Sequence, residues 1–594
     1  MPEYLSPGVY VEEVSSGIKP IEGVGTSTGA FIGIAEKGPI GGVLYSDGPG
    51  RPVLITSFGD FVRTFGGFMN GEYLAYAVQQ FFTEGGTKCY VTRTAHFTNS
   101  ADASTVTAVK STATLQDANA TNVLRVDAIN EGLWGNNISV LVSSSSKLST
   151  ILDGALAADA TSAILSSAEG VVVGSMLAFA DPAAPDTAIA TALVTRIAGK
   201  QIFFAQLNPA ADVLNGAIVT AQDFTVAVRY GQDIVETFEN LSMEQTNLID
   251  FVGNRINQGG GRSRYIRVND LAGEASNAAP KVLTDFVFLK GGSNGDDDQP
   301  GDYIGSSAAQ TGFFAFDSVD EINILAAPGM TAPRSIILAG MTYCENRKDV
   351  FFVGETPSGY DTATAVLDFK SATGEFAGQQ AFNSKYGALY WPWVRVNDPL
   401  TNRPLLMPPS GAVVGSYSAT DVRRGVHKAA AGIEDGFLNS VVGIEKIVTK
   451  GEHDVLNPQG VNVIRTFPGL GIVIWGARTV SKDPEWKYVN VRRLFLFLEE
   501  SIDEGTQWVV FEPNDKTLWS RIVRNVSAFL RIQWQEGKLV GNTPEEAFFV
   551  KCDEETNPPE SVDLGRVITV IGVAPSKPAE FVIFRIMQKK PGKE

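Results

Sequence analysis

Cysteine is nearly missing from this chain of 594 residues, which has only Cys89, Cys344 and Cys552. They lie far apart, so there is no disulfide framework and no paired metal-ligand spacing, and they read as reduced thiols. Histidine is as scarce: His96 sits at a strand end, His427 in a basic helix-like run and His453 in a polar turn. There is no run of basic residues, and 48 Lys and Arg against 66 Asp and Glu leave a net charge of −18. That excess argues against a nucleic-acid or anionic-membrane binder, because phosphate contacts need clustered cations. No basic segment followed by an apolar one opens the chain, so no signal peptide is expected. No uninterrupted apolar run reaches the roughly 18 residues of a membrane-spanning helix. Gly411 and Gly415 have no Lys-Ser/Thr at the spacing of a phosphate loop, and no ATP site is expected. The chain therefore predicts no cofactor, no metal and no membrane insertion.

Hydrophobic residues make up 44% of the chain, enough for several cores. The length suits about four domains of roughly 150 residues each. An acidic surface suits a protein kept soluble at high copy number.

The densest structural signal runs from Gly460 to Asp553. Two short strands are predicted at Val461–Arg465 and Gly471–Trp475, punctuated by Pro468 and glycines. Val491, Leu494, Phe495, Leu498 and Ile502 fall at helical spacing, with Gly505 where a C-cap is expected. The run QWVVF (507–511) reads as a buried strand. Asn514 or Asp515 can then cap a helix with Leu518, Trp519, Ile522, Val523, Val526, Phe529 and Leu530 on one face. AFFVKCD (547–553) reads as a further strand, giving a compact α/β unit with no ligand-binding signature.

The stretches GVNVIRTFPGLGIVIWGARTV, VRRLFLFLEESI, QWVVFEPND and AFFVKCD resemble the C-terminal domain of contractile tail sheath proteins. Those proteins form the outer tube of contractile phage tails, R-type pyocins and related injection particles. The resemblance recurs in YLSPGVYVEEV at the start and in YWPWVRVNDPLTNRPLLMPPSGAVVGSYSATDVRRGVHKAAAG at 390–432. It covers the first 95 residues or so and about the last 300, and fades between them. Related sheaths commonly carry an aromatic near His427 and end that segment in Ala-Asn. Here His427 and Ala431-Gly432 stand instead.

Taken in order, residues 1–24 hold one short alternating segment, Val9-Tyr10-Val11, too short to form a sheet alone. It reads as a frayed terminus or as an arm adding a strand to another subunit's sheet, and the resemblance implies the arm. Residues 25–99 form a first part of the core: strand and turn in TGAFIGIAEKGP, helices in SFGDFVRTFGG and EYLAYAVQQFFTEGG, a strand in KCYVTRT. Gly25-Thr26-Ser27 resembles the serine segment of subtilisin-type proteases, and the sheath core is described as subtilisin-like in fold. A Ser–His–Asp mechanism needs a histidine beside that serine, and none of the three has such a context. Ser27 is expected to be a turn residue.

Residues 100–149 and 223–275 read as one outer β-rich domain, interrupted at 150–222 by a small all-β module rich in Ala, Thr and Val. The module is expected to be a spacer, with an outward-facing binding domain as the alternative. Asp296-Asp297-Asp298 could hold Ca²⁺, but their spacing does not fit a D-x-D-x-D loop, and a solvated turn is expected. Residues 276–455 return to an α/β rhythm and 456–559 form the C-terminal core domain. Tyr390, Trp391 and Trp393 are expected in core or interface packing, with Pro392 marking an edge or bulge. Arg423 and Arg424 are expected to pair across a subunit contact or to be solvated. In the final segment, 560–594, both faces of the strand Phe581–Ile586 are largely apolar, which predicts full burial.

The fold class expected is a multidomain α/β (α+β) chain: a mixed-sheet core with flanking helices, subtilisin-like by resemblance, with inserted all-β outer domains and two terminal arms. The resemblance implies a non-enzymatic sheath subunit that stacks as hexameric rings into a helical polymer around an inner tube protein, with baseplate and terminator or cap proteins as partners. It implies assembly in the bacterial cytoplasm and a place in the phage tail or injection particle. Subunits would exchange strands through Val9, Tyr10 and Val11 of one arm and Phe581, Val582, Ile583, Phe584 and Ile586 of the other. A hydrolase on the α/β scaffold, or an adhesin acting through the inserted module, are the alternative readings.

Overall fold

The computed structural model describes residues 21–146, 148–185, 187–271, 279–330 and 333–585. Val9, Tyr10, Val11 and Ile586 lie outside them. The chain divides into two compact units, one drawn from 1–35, 44–94 and 299–594, the other from 36–43 and 95–298.

The first unit is organised on an eight-stranded mixed sheet. Its strands are β1 (Gly29–Gly33), β2 (Val53–Ile55), β3 (Cys89–Arg93), β4 (Ile324–Ala326), β5 (Phe351–Glu355), β6 (Gly387–Trp391), β7 (Val461–Phe467) and β8 (Gly471–Ile474), in the order β8-β7-β6-β5-β4-β1-β3-β2. The six inner strands run parallel, and the two edge strands, β8 and β2, pair antiparallel. The inner strands are continuous apolar runs such as GAFIG and GALYW, buried along their whole length because helices cover both faces of a parallel sheet. Pro392 follows the last residue of β6, and β6 is an interior strand; the expected edge is not there.

Helices α1 (Phe58–Phe65) and α2 (Leu74–Thr83) fill the crossover between β2 and β3. The apolar run RSIILAG opens α3 (Arg334–Arg347), while α4 (Ser410–Arg424) is a largely buried helix packed on α2. The glycines of α4 make that approach possible: a Cβ on Gly411 would stand 2.5 Å from Ala77 Cα, and one on Gly415 2.7 Å from the Phe81 carbonyl oxygen. Trp391 and Trp393 are buried and donate their indole N–H groups to the Tyr360 and Thr356 carbonyls, and Tyr390 shares a hydroxyl contact with Tyr417. All three aromatics are core residues.

Further helices of this unit include α5 (Lys450–Leu456), α6 (Val489–Thr506) and α7 (Lys516–Gln535). A two-stranded sheet, β9 (Phe548–Lys551) with β10 (Val570–Val573), packs in one apolar cluster with α6 and α7. Asp515 caps α7, accepting from the Leu518 amide at 2.8 Å, and Asn514 instead accepts from the Trp519 indole at 2.8 Å. Such a cap contributes about 1 kcal/mol. The run QWVVF is not a strand: Gln507–Val509 forms a 3₁₀ turn closing α6, and Phe511 is fully exposed with φ of 67°. Its β-branched and aromatic residues have no neighbouring strand to join.

The second unit is all-β apart from short helical turns. Strands Ile138–Ser145, Asp223–Tyr230, Asp233–Leu241 and Val287–Phe288 form a four-stranded sheet, and Thr112–Gln116, Asn122–Ala128 and Ile266–Asp270 a three-stranded one. Trp134 at the turn between strands is buried and packs beside Tyr230. Between Ser145 and Asp223 the chain makes a six-stranded sheet with its own apolar cluster, including Leu165, Leu177, Phe179, Val194, Ile202 and Val219. Asp296-Asp297-Asp298 closes this unit, with the Asp296 amide donating to Thr107 Oγ1 at 3.0 Å. Among the described residues no three His, Cys, Asp or Glu side chains converge as metal ligands, and no helix is long and apolar enough to cross a membrane.

Candidate functional site: the two chain ends and the cavity beside them

Both described ends of the chain come together on α6 and α7. Leu494, Phe497 and Leu498 of α6 and Leu518, Trp519, Ile522, Val526, Phe529 and Leu530 of α7 form an apolar cluster that takes in Ile21 from one end and Val550, Ile571 and Val573 of β9–β10 from the other. The Val24 amide donates to Ser501 Oγ at 3.1 Å, and Arg493 donates to the Thr26 carbonyl at 2.9 Å while pairing with buried Asp421 at 2.6 Å. Burial pushes the Asp421 carboxyl up, against the pull of Arg493. Gly505 is not a C-cap, since α6 runs on through Thr506. Its missing side chain leaves room for Ile21, whose Cγ1 and Cγ2 each lie 2.7 Å from where a Cβ would stand.

The other end is held by a carboxylate. After β10 the segment Ser576–Glu580 lies against the body, and Glu580 accepts from Arg478 Nε and Nη2 at 2.6 Å each, from Asn457 Nδ2 at 2.8 Å and from the Tyr488 hydroxyl at 3.0 Å. Lys487 adds an ion pair at 3.2 Å. Burial alone would raise the Glu580 carboxyl, but these donors outweigh it and hold it at about 2. Past this clasp, Phe581, Val582, Ile583 and Phe584 make no strand and stand exposed, Phe581 by 72% and Phe584 by 84%. The expected full burial of this segment does not occur within the chain, because every sheet of the described structure leaves it unpaired. β9 and β10 pair only with each other, and Phe549 on β9 is likewise exposed.

Beside the clasp lies an open cavity of about 830 Å³, walled by the segment after α4 (His427–Gly432), by α5, by the β7–β8 hairpin, by the start of α6 and by Ser576–Phe581. His427 and His453 both line it. Burial lowers both imidazoles, helped by Lys538 and Arg424 at His427 and by Arg465 at His453. The third histidine, His96, lies in the second unit. Ser27 sits in the extended segment before β1, where its carbonyl accepts from Ser418 Oγ at 2.7 Å. Arg423 and Arg424 find partners inside the chain: buried Asp435 takes Arg423 at 2.6 Å, and Arg424 pairs with Glu434 at 3.5 Å.

The order of these parts matches two adjoining family models: the phage tail sheath protein central domain over residues 302–480 and the phage tail sheath C-terminal domain over 481–589. Residues 302–589 are tail sheath protein domains. The cavity, the clasp and the helices α6 and α7 all fall inside the matched region. A tail sheath protein of Vibrio phage KVP40 is 27% identical over 31% of this chain and 27% of its own length. A putative prophage major tail sheath protein of Pseudomonas aeruginosa is 26% identical over 44% of this chain and 64% of its own. The Escherichia phage P2 tail sheath protein is 25% identical over 49% and 69% respectively. Similarity of fold extends much further. The sheath of an extracellular contractile injection system in its contracted state aligns over 99% of both chains with a TM-score of 0.52 at 18% identity. A sheath tail protein of Listeria innocua aligns over 94% of this chain and 96% of its own with a TM-score of 0.52 at 11% identity.

Two functional features escaped sequence reasoning. Glu580 is one acid near a basic tail, and its partners come from residues 457, 478, 487 and 488. The cavity draws on five separate segments, and no spacing in the sequence reports it.

Proposed function

We propose that this sheath protein is the polymerising subunit of a contractile injection machine, stacking as hexameric rings around an inner tube protein. Neighbours are linked by terminal arms: Val9, Tyr10 and Val11 of one copy pair with Phe581–Ile586 of another, both adding to the β9–β10 sheet. The observation that carries this reading is the exposed apolar segment Phe581–Phe584 beside a two-stranded sheet with open edges. One face of this pair packs on α6 and α7, and added strands would complete the backbone bonding of its edges. The mixed parallel sheet with helices on both faces is the counterpart of the subtilisin-like sheath core, and it would move as a rigid body while the linked strands hold the lattice together. An energy difference set up at assembly would drive the tube through a target envelope, with baseplate and terminator proteins at the ends. Assembly would take place in the bacterial cytoplasm before the subunit becomes part of the particle, and no catalysis is required of it.

The test is negative-stain electron microscopy of the purified full chain beside a variant lacking residues 1–24. Striated tubes from the full chain, lost on truncation, are expected. Monomers from both, even with the tube protein added, would overturn the reading.

A further inference from the structure

The cavity beside the clasp carries buried polar atoms with nothing to bind. Among the described residues, Arg465 Nε, His453 Nε2, His427 Nδ1, Asn490 Oδ1 and Asn457 Oδ1 are buried without a hydrogen-bond partner, and all five side chains line this one space. Asn490 is 3% exposed, and its amide group donates to the His427 carbonyl at 2.6 Å, leaving its oxygen over. A buried polar group left unpaired costs about 1–3 kcal/mol, and five such groups gather in the residues around this recess.

The chemistry of that partner follows from the lining. Among the described residues Lys450, Arg465 and Lys577 have no ion-pair partner; of the wall's two carboxylates, Glu580 is already saturated by Arg478 and Lys487, and Asp454 alone stands against these three cations. In a chain of net charge −18 this is a cationic recess. It wants a carboxylate to face Lys450, Arg465 and Lys577, and an extended acidic peptide supplies one. Phe467 and Trp475, with ring centroids 4.6 Å apart, give it apolar wall as well.

The position of the recess selects the peptide. Phe581 lies on its rim and begins the exposed segment. If Val9–Val11 of a second copy pairs with Phe581–Phe584 antiparallel, the residues after Val11 run back past Glu580 toward the recess. At about 3.4 Å per residue, Glu12 and Glu13 come to its mouth. Parallel pairing would carry them away from it. We infer that this recess is the receptor for Glu12-Glu13 of a neighbouring copy, which fixes the exchanged strands as antiparallel and sets their register. The inference rests on the arm exchange proposed above and adds to it a site, a partner group and a direction.

The experiment uses a fluorescent synthetic peptide of residues 1–20, titrated onto full chain carrying Glu12→Gln and Glu13→Gln so that its own arm does not compete. Saturable binding is expected. It should weaken about tenfold or more when the acceptor also carries Arg465→Glu or, at an exposed lining position, Lys577→Glu, and equally when the peptide itself carries Gln at 12 and 13. A Lys516→Glu acceptor, altered outside the recess, should bind as before. Peptide binding that ignores charge at 465, 577, 12 and 13 would overturn the inference while leaving arm exchange intact. Absence of peptide binding altogether would also overturn it. Loss of tubes from the unaltered chain would instead strike the polymer reading itself. A disulfide between Glu13→Cys of one copy and Lys577→Cys of another, seen as a ladder on a non-reducing gel of assembled material, confirms the direction. A Glu3→Cys control that links equally well counts against it.

Discussion

Arg478 grips Glu580 with two parallel hydrogen bonds of 2.6 Å, joining the loop after β8 to a residue 102 positions later in the chain. Two-pronged guanidinium–carboxylate pairs of this kind are specific in direction as well as strong. The pair decides where the body ends and the free C-terminal segment begins. Glu580→Gln removes the charge while keeping the shape, so the amides of residues 576–580 are expected to exchange hydrogen at least about tenfold faster, with the eight-stranded sheet unchanged. Hydrogen exchange read by mass spectrometry checks this. Arg478→Met should be the harsher change, since removing one partner of a largely buried pair costs about 3 kcal/mol.

The same clasp sets a pH dependence. The Glu580 carboxyl is depressed from 4.5 to about 2 in the folded chain. A depressed acid contributes stability that is fully present above its unfolded value and is lost as pH falls through its folded one. Protection of residues 576–580 is therefore expected to hold down to pH 4.5 and to fade between there and pH 2. The Glu580→Gln variant should show no such fading in that window.

At the other end, Gly505 and Ile21 are coupled. Alanine in a helix interior normally gains about 1 kcal/mol over glycine. Here the added Cβ meets Ile21 at 2.7 Å, so Gly505→Ala should lower the melting temperature and speed exchange of the Val24 amide. Combined with Ile21→Ala the helix gain should reappear, leaving the double variant more stable than Ile21→Ala alone. Strict additivity in thermal unfolding would refute the contact.

The six-stranded module rests on a simple stem. Ser145 and Asp223 face each other in the antiparallel pair Ile138–Ser145 and Asp223–Tyr230, and the Ala221 amide donates to Ser146 Oγ at 3.0 Å. Replacing residues 146–222 with Asn-Gly should close an ordinary two-residue hairpin. The shortened chain is expected to keep the strand content of the remaining unit by circular dichroism and to form tubes. Loss of tubes with the fold intact would give the module a part in assembly.

Helices with their own punctuation were plain in the sequence: Asp515 before the apolar stripe of α7, or the glycine ending α1 at Gly66. The buried parallel strands were legible as unbroken apolar runs. Two apolar segments misled for the same reason. A strand needs a neighbour, and composition does not say whether one exists; Val509–Phe511 has none, and Phe581–Phe584 has none within the chain. Gly505 carried a true signal with the wrong cause, because a small residue at a helix end serves a close contact as readily as a cap. The recess could not be seen at all, since Arg465, His453 and Asn490 are ordinary residues until folding gathers them around one space.

Ile21 and the β9–β10 sheet share one apolar cluster on α6 and α7. In a polymer joined through its termini, a pull entering at one arm and leaving at the other would pass through that cluster and through the Arg478–Glu580 clasp. The load path is short, and the loop after β8 and the segment leading into β1 tie it to the eight-stranded sheet. Tension along the assembly would fall first on α6, α7 and the clasp.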